Sequence, residues 1–256
     1  MSLRKQNSPV FIIGTGRSGT HWLAHTFESS DEIICTIEKS PMFELSKYIS
    51  LNQENENKAY IKLVNAYKFE IAKASSKIYL DKSHPNIWIA ERLKKSFSQA
   101  MFIGIERNVY ATVASMLKHE RVLSWHSTWS DYSIPNRFLG ITIEIAKIYS
   151  NMSLASKCAL RWLSHKIRMN KLKENLGVSI KVIAFEELAS KTPVVVNELQ
   201  EFLGLQNPLK APEVQSDSVE KWKRQLSDLH VSQIDSVIKG YSTILSEMEE
   251  NRWRNK

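Results

Sequence analysis

Short apolar runs alternate along the chain with longer stretches of helical period. Val10–Ile13, Ile33–Cys35, Lys77–Leu80, Ala100–Ile105 and Ile180–Phe185 read as strands. The first and fourth of these are apolar throughout, as a buried parallel strand is. Trp22, Leu23, Thr26 and Phe27 give a first helix its apolar face, and Ser29-Ser30-Asp31 ends it. Residues 42–75 read as a helical insertion broken around Asn52 to Asn57, with Leu63, Tyr67 and Ile71 as a core stripe. Pro85 suits the first turn of a helix that continues through Trp88, Ile89 and Leu93. A long helical pattern runs from Ile141 to Asn175 and stops at Gly177; Pro193 to Leu203 is a helix closed by Gly204. Asn207 to Pro212 is a breaker-rich linker. Ser232 to Met248 is a last helix facing inward with Ile234, Val237, Ile238 and Tyr241, before a loosely ordered end around Trp253. Residues 119–137, with Trp125, His126, Trp129, Asp131 and Tyr132, read as a long aromatic loop. The pattern predicts an α/β fold with a mostly parallel sheet flanked by helices, carrying helical insertions.

The chemistry concentrates where the first strand meets the first helix, in Gly14-Thr15-Gly16-Arg17-Ser18-Gly19-Thr20-His21. A strand, a glycine-rich turn and a helix N-terminus make an anion site, because the first helical turn leaves its N–H groups unpaired. Three readings compete. Gly14 and Gly19 have the Walker spacing, but Thr20 stands where lysine belongs and His21 where the magnesium-binding hydroxyl belongs. That disfavours metal-dependent phosphoryl transfer. Gly14, Gly16 and Gly19 match a dinucleotide fingerprint, with Glu38 about twenty residues on. The third reading is a loop that grips a 5′-phosphate without metal, with Arg17 neutralising charge.

Composition narrows this little. The 256 residues suit one α/β domain, and the net charge of +8 favours an anionic ligand. There is no long basic run and no nucleic-acid-binding motif. Two cysteines, Cys35 and Cys158, make no disulfide framework and no metal spacing. The polar start Met1 to Ser8 shows no signal-peptide pattern, and no apolar run reaches membrane-spanning length, so a cytoplasmic protein is expected.

The loop resembles the 5′-phosphosulfate loop of sulfotransferases that use 3′-phosphoadenosine-5′-phosphosulfate (PAPS), roughly [PG]-[RK]-S-G-T-T-x-L. A second segment, Glu106-Arg107-Asn108-Val109 through Ser115, resembles the family's other nucleotide motif, an arginine at a strand end and a serine eight residues later. Asn108-Val109 departs from the usual Asp-Pro. Phe185-Glu186-Glu187-Leu188 and Phe202-Leu203-Gly204-Leu205 are similar to the family's Tyr-Glu-Asp-Leu and Phe-Leu-Gly-Leu, with a hydroxyl lost at Phe185. The resemblance implies one P-loop-NTPase-like domain over residues 1–256. It implies a sulfuryl transferase with PAPS as donor, PAP as product and no metal. The acceptor would be a hydroxyl or amine on a small molecule, carbohydrate, lipid or peptide.

The resemblance also implies roles. Gly16, Arg17, Ser18, Gly19, Thr20, His21 and Trp22 would hold the 5′-phosphosulfate. Arg107 and Ser115 would hold the 3′-phosphate. Lys221, Trp222 and a serine, Ser216 or Ser218, would belong to a segment that closes over the nucleotide. Glu38 would be the general base, and Lys82 with Arg17 would stabilise charge on the leaving phosphate. His84, just before Pro85, is a second candidate base. The insertion at 42–75 and the aromatic segment 119–137 would border the acceptor. Two other classes stay open: a kinase-like or NAD(P)-dependent enzyme, and a nucleotide-binding protein without catalysis.

Overall fold

The computed structural model describes residues 8–52, 56–213 and 218–254. Five strands, β1 (Val10–Gly14), β2 (Ile33–Ile37), β3 (Ile78–Lys82), β4 (Met101–Glu106) and β5 (Ile180–Ala184), form one sheet in the order β2-β3-β1-β4-β5, with every pairing parallel. The chain lays strands on one side of β1, then crosses to the other side with β4. The carboxyl ends of β1 and β4 therefore flank the topological switch point, where open parallel sheets bind ligands. A dinucleotide fold would set β2 beside β1; here β3 separates them.

Side-chain alternation assigns the two faces of the sheet. Val10 and Ile12 join Leu80, Ile103 and Ile105 under α1 (Thr20–Glu28), α9 (Phe185–Ser190) and α10 (Thr192–Leu203). Phe11 and Ile13 face the larger core, with Tyr67, Tyr79 and Phe102. That side is covered by α2 (Met42–Leu51), α3 (Glu56–Lys73), α4 (Ala90–Ser96), α5 (Val109–Met116), α6 (Glu120–Ser127), α7 (Ile143–Tyr149), α8 (Leu154–Leu176) and α11 (Asp228–Arg254). Phe11 meets Tyr67 edge-on at 5.1 Å and stacks on Phe102 at 5.5 Å.

Several expectations change. Residues 119–137 are not one loop: α6 occupies Glu120–Ser127 and a 3-10 turn Trp129–Asp131. Val122 and Trp125 pack into the core, which gives a short segment enough buried apolar area to hold helix. The long pattern from Ile141 breaks after Tyr149, because the Ser153 hydroxyl accepts from the Ser156 N–H and starts α8 afresh. Pro85 opens a 3-10 turn, His84–Trp88, before α4. Phe185 starts α9 rather than ending the last strand. The last helix is longer at both ends, Asp228–Arg254. Residues 1–7, part of the break near Asn52, and Ser216 lie outside the described residues.

Helix α8 fastens α4 and α11 to the sheet through Arg168, which is fully buried. Its Nε donates to the Ile87 carbonyl at 2.9 Å, and its fork reaches Glu91 and, at 2.9 Å, Glu249 Oε1. Removing one partner of a buried ion pair leaves the others uncompensated, at a cost of about 3–5 kcal/mol. Arg168→Leu is expected to lose stability on that scale in urea unfolding; a loss below about 1 kcal/mol would show that the cluster does not hold these helices.

Candidate active site

The loop after β1 turns through Arg17 in the left-handed region, φ 80°, and through Gly19 at φ 97°. Gly19 is required twice over. Its φ suits glycine, and a Cβ there would lie 2.5 Å from the Phe185 ring beneath it. Ser18 faces inward: its hydroxyl donates to the Thr15 carbonyl at 2.5 Å and reaches the Ile105 carbonyl at 3.3 Å. Its N–H is also used, bonding the Thr15 carbonyl at 3.1 Å. Ser18, expected among the residues that hold the 5′-phosphosulfate, thus has both its hydroxyl and its N–H engaged within the loop. The N–H groups of the first turn of α1, from Thr20 on, lack intrahelical partners. Trp22 turns away, donating to the Glu213 carbonyl at 3.3 Å.

Glu38 follows β2 with φ 47°, an uncommon conformation for a non-glycine residue. Adjacent strands do not bring it to the loop: β3 lies between β2 and β1, and Lys82 at the end of β3 makes the connection. Lys82 Nζ, almost fully buried, donates to Glu38 Oε1 at 2.5 Å and lies 3.0 Å from His21 Nδ1. His84 Nδ1 is 3.4 Å from the same Oε1, a contact without hydrogen-bond alignment, and among the described residues neither ring nitrogen of this buried imidazole has a hydrogen-bond partner. On the outer side Arg121 NH1 stands 3.6 Å from Glu38 Oε2.

These neighbours set the charges. Burial pushes the Glu38 carboxyl up, but His84 and the Lys82 ammonium outweigh it and hold the group well below the usual carboxylate range. Burial lowers Lys82, and Glu38 opposes the shift. Burial pushes His84 down to about 3 and, with Lys82, His21 down to about 4, so both rings are neutral at pH 7.

A second cluster forms at the end of β4. Arg17 Nε donates to Ser115 Oγ at 3.1 Å. Arg107 donates to the Arg17 carbonyl at 3.3 Å and to the Ser218 carbonyl at 2.6 Å, with its guanidinium 4.3 Å over the Phe185 ring. Among the described residues its buried Nε and the Ser218 hydroxyl have no partner. Asn108 does the work of the usual aspartate: its side chain accepts from the N–H groups of Tyr110 and Ala111 and caps α5. Trp222 stacks on Tyr110 at 4.7 Å, and Lys221 borders the same groove.

Two cavities result. One, about 300 Å³, lies between Arg107, Ser115, Ser218, Lys221 and Trp222. The other, about 50 Å³, lies between Glu38, Lys82, His84, Phe43 and Trp125. Arg17 and His119 line both, so the cavities meet there.

A family model described as the sulfotransferase family matches residues 9–208. The chain belongs to the sulfotransferase family. Solved structures agree on the fold. A sulfotransferase domain from the curacin biosynthetic pathway superposes with a TM-score of 0.59 at 14% identity, over 91% of this chain and 97% of that one. The sulfotransferase domain of the Synechococcus PCC 7002 olefin synthase gives 0.58 at 14% identity, over 92% and 96%. Mouse sulfotransferase SULT7A1, solved with PAP, gives 0.51 at 18% identity, over 96% and 91%. A comparison with curated proteins gives no match.

Within this sulfotransferase, the segments expected to carry chemistry converge: the loop, Glu38, Lys82 and His84 meet around one cavity, and Arg107, Ser115, Ser218, Lys221 and Trp222 around the other. Sequence reasoning missed Arg121, His119 and Arg161, none of which falls in a motif. It also missed the support beneath the site. Asp81, fully buried, accepts from Tyr67 at 2.8 Å, Asn86 at 3.1 Å, Thr36 at 3.2 Å and Ser83 at 3.3 Å, tying β2, β3 and α3 together under Glu38 and Lys82.

Burial pushes the Asp81 carboxyl up to about 6, against the hydroxyls that donate to it. The folded protein therefore holds this proton more tightly than the unfolded chain, and stability is lost as pH rises from about 4 through about 6. Urea unfolding of wild type and Asp81→Asn should show the wild type losing about 2–3 kcal/mol relative to the variant between pH 4 and 7. A difference independent of pH would contradict a raised Asp81.

Proposed function

We propose that the protein, as one transferase domain, moves a sulfuryl group from PAPS to a hydroxyl or amine acceptor. The observation that carries this reading is the meeting of the two cavities at Arg17, one framed by anion-binding groups of nucleotide scale and the other by a base cluster. The unpartnered Arg107 Nε and Ser218 hydroxyl, both buried, support a polar ligand in the larger cavity. Arg107 and Ser115 would hold the 3′-phosphate, with Lys221 and Trp222 closing the rim.

PAPS would supply a sulfuryl group bonded to a phosphate that leaves with the electron pair. Arg17, Lys82 and the free N–H groups at the start of α1 would stabilise the charge gathering on that phosphate. Glu38, our first choice as base, would take the acceptor proton. While Lys82 is paired to it, Glu38 is a weak base. As Lys82 is drawn toward the phosphate, Glu38 loses its partner and gains basicity. His84 lies against Glu38 with its Nε2 unpartnered among the described residues, and so is the alternative base.

Calorimetric titration without metal tests the donor. PAP should bind at least roughly tenfold more tightly than 5′-AMP, a difference of about 1.4 kcal/mol, and Arg107→Ala should erase most of it. Folded protein that ignores PAP would overturn the reading. For the base, Glu38→Gln should keep PAP binding while turnover falls roughly 10²-fold or more. Near-normal turnover in that variant, with loss in His84→Asn, would move the role to His84.

A further inference from the structure

The smaller cavity is ringed by cations, and one of them has only a long contact to a carboxylate. Around it stand Arg17, Lys82 and Arg121, with Glu38 as its carboxylate. Behind its floor is a fourth cation. A Cβ on Gly16 would meet His84 Nε2 at 3.2 Å and Arg161 NH2 at 3.4 Å, so both groups press on the glycine from below. Arg161 is fully buried, and its Nε and NH2 have no hydrogen-bond partner among the described residues. Its guanidinium lies 4.7 Å from the Phe138 ring and 5.2 Å from Trp125, and it makes no ion pair among the described residues. Burial pushes it down only to about 10, so it stays charged at pH 7. His21, His84 and His119 are each lowered by burial and add no charge.

These cations are answered by Glu38 and by the buried Asp81 carboxyl one residue before Lys82. A bound phosphosulfate would draw on Arg17, Lys82 and the N–H groups of the loop, and Arg121 would be left with no donor group to meet. The walls Phe43, Val122 and Trp125 hold water away, so the field of the cations concentrates on whatever occupies the cavity. Arg121 is placed to meet an anion. Its side chain is 66% exposed at the mouth, and its 3.6 Å contact with Glu38 is long and solvated, an interaction worth little. Its planar fork can leave Glu38 for an oxyacid and grip it with two N–H groups. Release of Arg121 would also uncover Glu38 Oε2 to the acceptor.

We propose that the acceptor is itself an anion, a small apolar or aromatic body whose hydroxyl reaches Glu38 and whose single oxyacid group is read by Arg121. The proposal rests on the donor reading above. Phe43 and Trp125 flank the hydroxyl-bearing end, the one part the small cavity admits. Arg121 is a specificity-determining residue; Arg161 acts through the field behind the floor.

The test uses full-length protein saturated with PAP, titrated by calorimetry with 4-hydroxyphenylacetate and its neutral amide as probes. The carboxylate should bind at least tenfold more tightly. Arg121→Gln should bring the two within about twofold, and Arg121→Glu should turn the preference toward the cationic probe tyramine. Equal affinities in wild type, no binding of either probe, or a carboxylate preference that survives Arg121→Gln would each overturn the proposal. Failure of PAP to bind in the first step would strike the donor reading instead, so the two failures are told apart.

Discussion

A lysine almost wholly removed from water must have an anion beside it, and much of this site follows from that need. Lys82 ends β3 with 1% of its surface exposed, and Glu38 supplies the anion at 2.5 Å. Because β3 lies between β2 and β1, the pair joins the ends of β2 and β3, beside the bond from the Glu38 N–H to the Lys82 carbonyl at 2.9 Å, and Lys82 reaches on to His21 after the loop that follows β1. Glu38 adopts an uncommon φ to reach its place. The hydrogen bonds that converge on Asp81, one residue before Lys82, hold the strands in the register that makes this reach constant. Binding chemistry and fold are coupled here: the ammonium that must find an anion in the resting protein is also the one offered to a ligand.

A similar economy governs the nucleotide side. Phe185 fills the space under Gly19 on one edge and receives the Arg107 guanidinium on its face. A single ring thus fixes the depth of the phosphate loop and the direction of the arginine. Loss of the tyrosine hydroxyl at this position leaves both packing functions intact. Asn108 likewise preserves the α5 start that aspartate would give, since its carbonyl oxygen caps the same two N–H groups.

What the sequence revealed were features encoded locally. The strands, the turn at Gly14 to Gly19, and the arginine and serine eight residues apart on one strand-to-helix junction all depend on near neighbours. Lys82 and Glu38 were legible as strand-end residues, although their partnership was not, because it depends on β3 inserting between β1 and β2. The hidden features depend on long-range packing. Trp125 turns segment 120–127 into helix by burying its ring, and only then does Arg121 face Glu38. Ser153 splits a continuous helical pattern by capping its second half. Arg161 sits mid-helix among apolar residues with nothing in its neighbours to signal a buried, unpaired guanidinium.

The ion cluster at Arg168 sets a limit on how this protein can be divided. The family model's match ends at residue 208, yet Glu249, forty-one positions further on, supplies a carboxylate to a guanidinium inside the matched region. A fragment trimmed at the end of the resemblance would lose a counter-ion from its own interior, together with the apolar face of Ile234, Val237 and Leu245 that covers α8. The unit that folds and the unit that is recognisable by descent therefore have different edges, and an expression boundary is better drawn by charge pairing than by alignment.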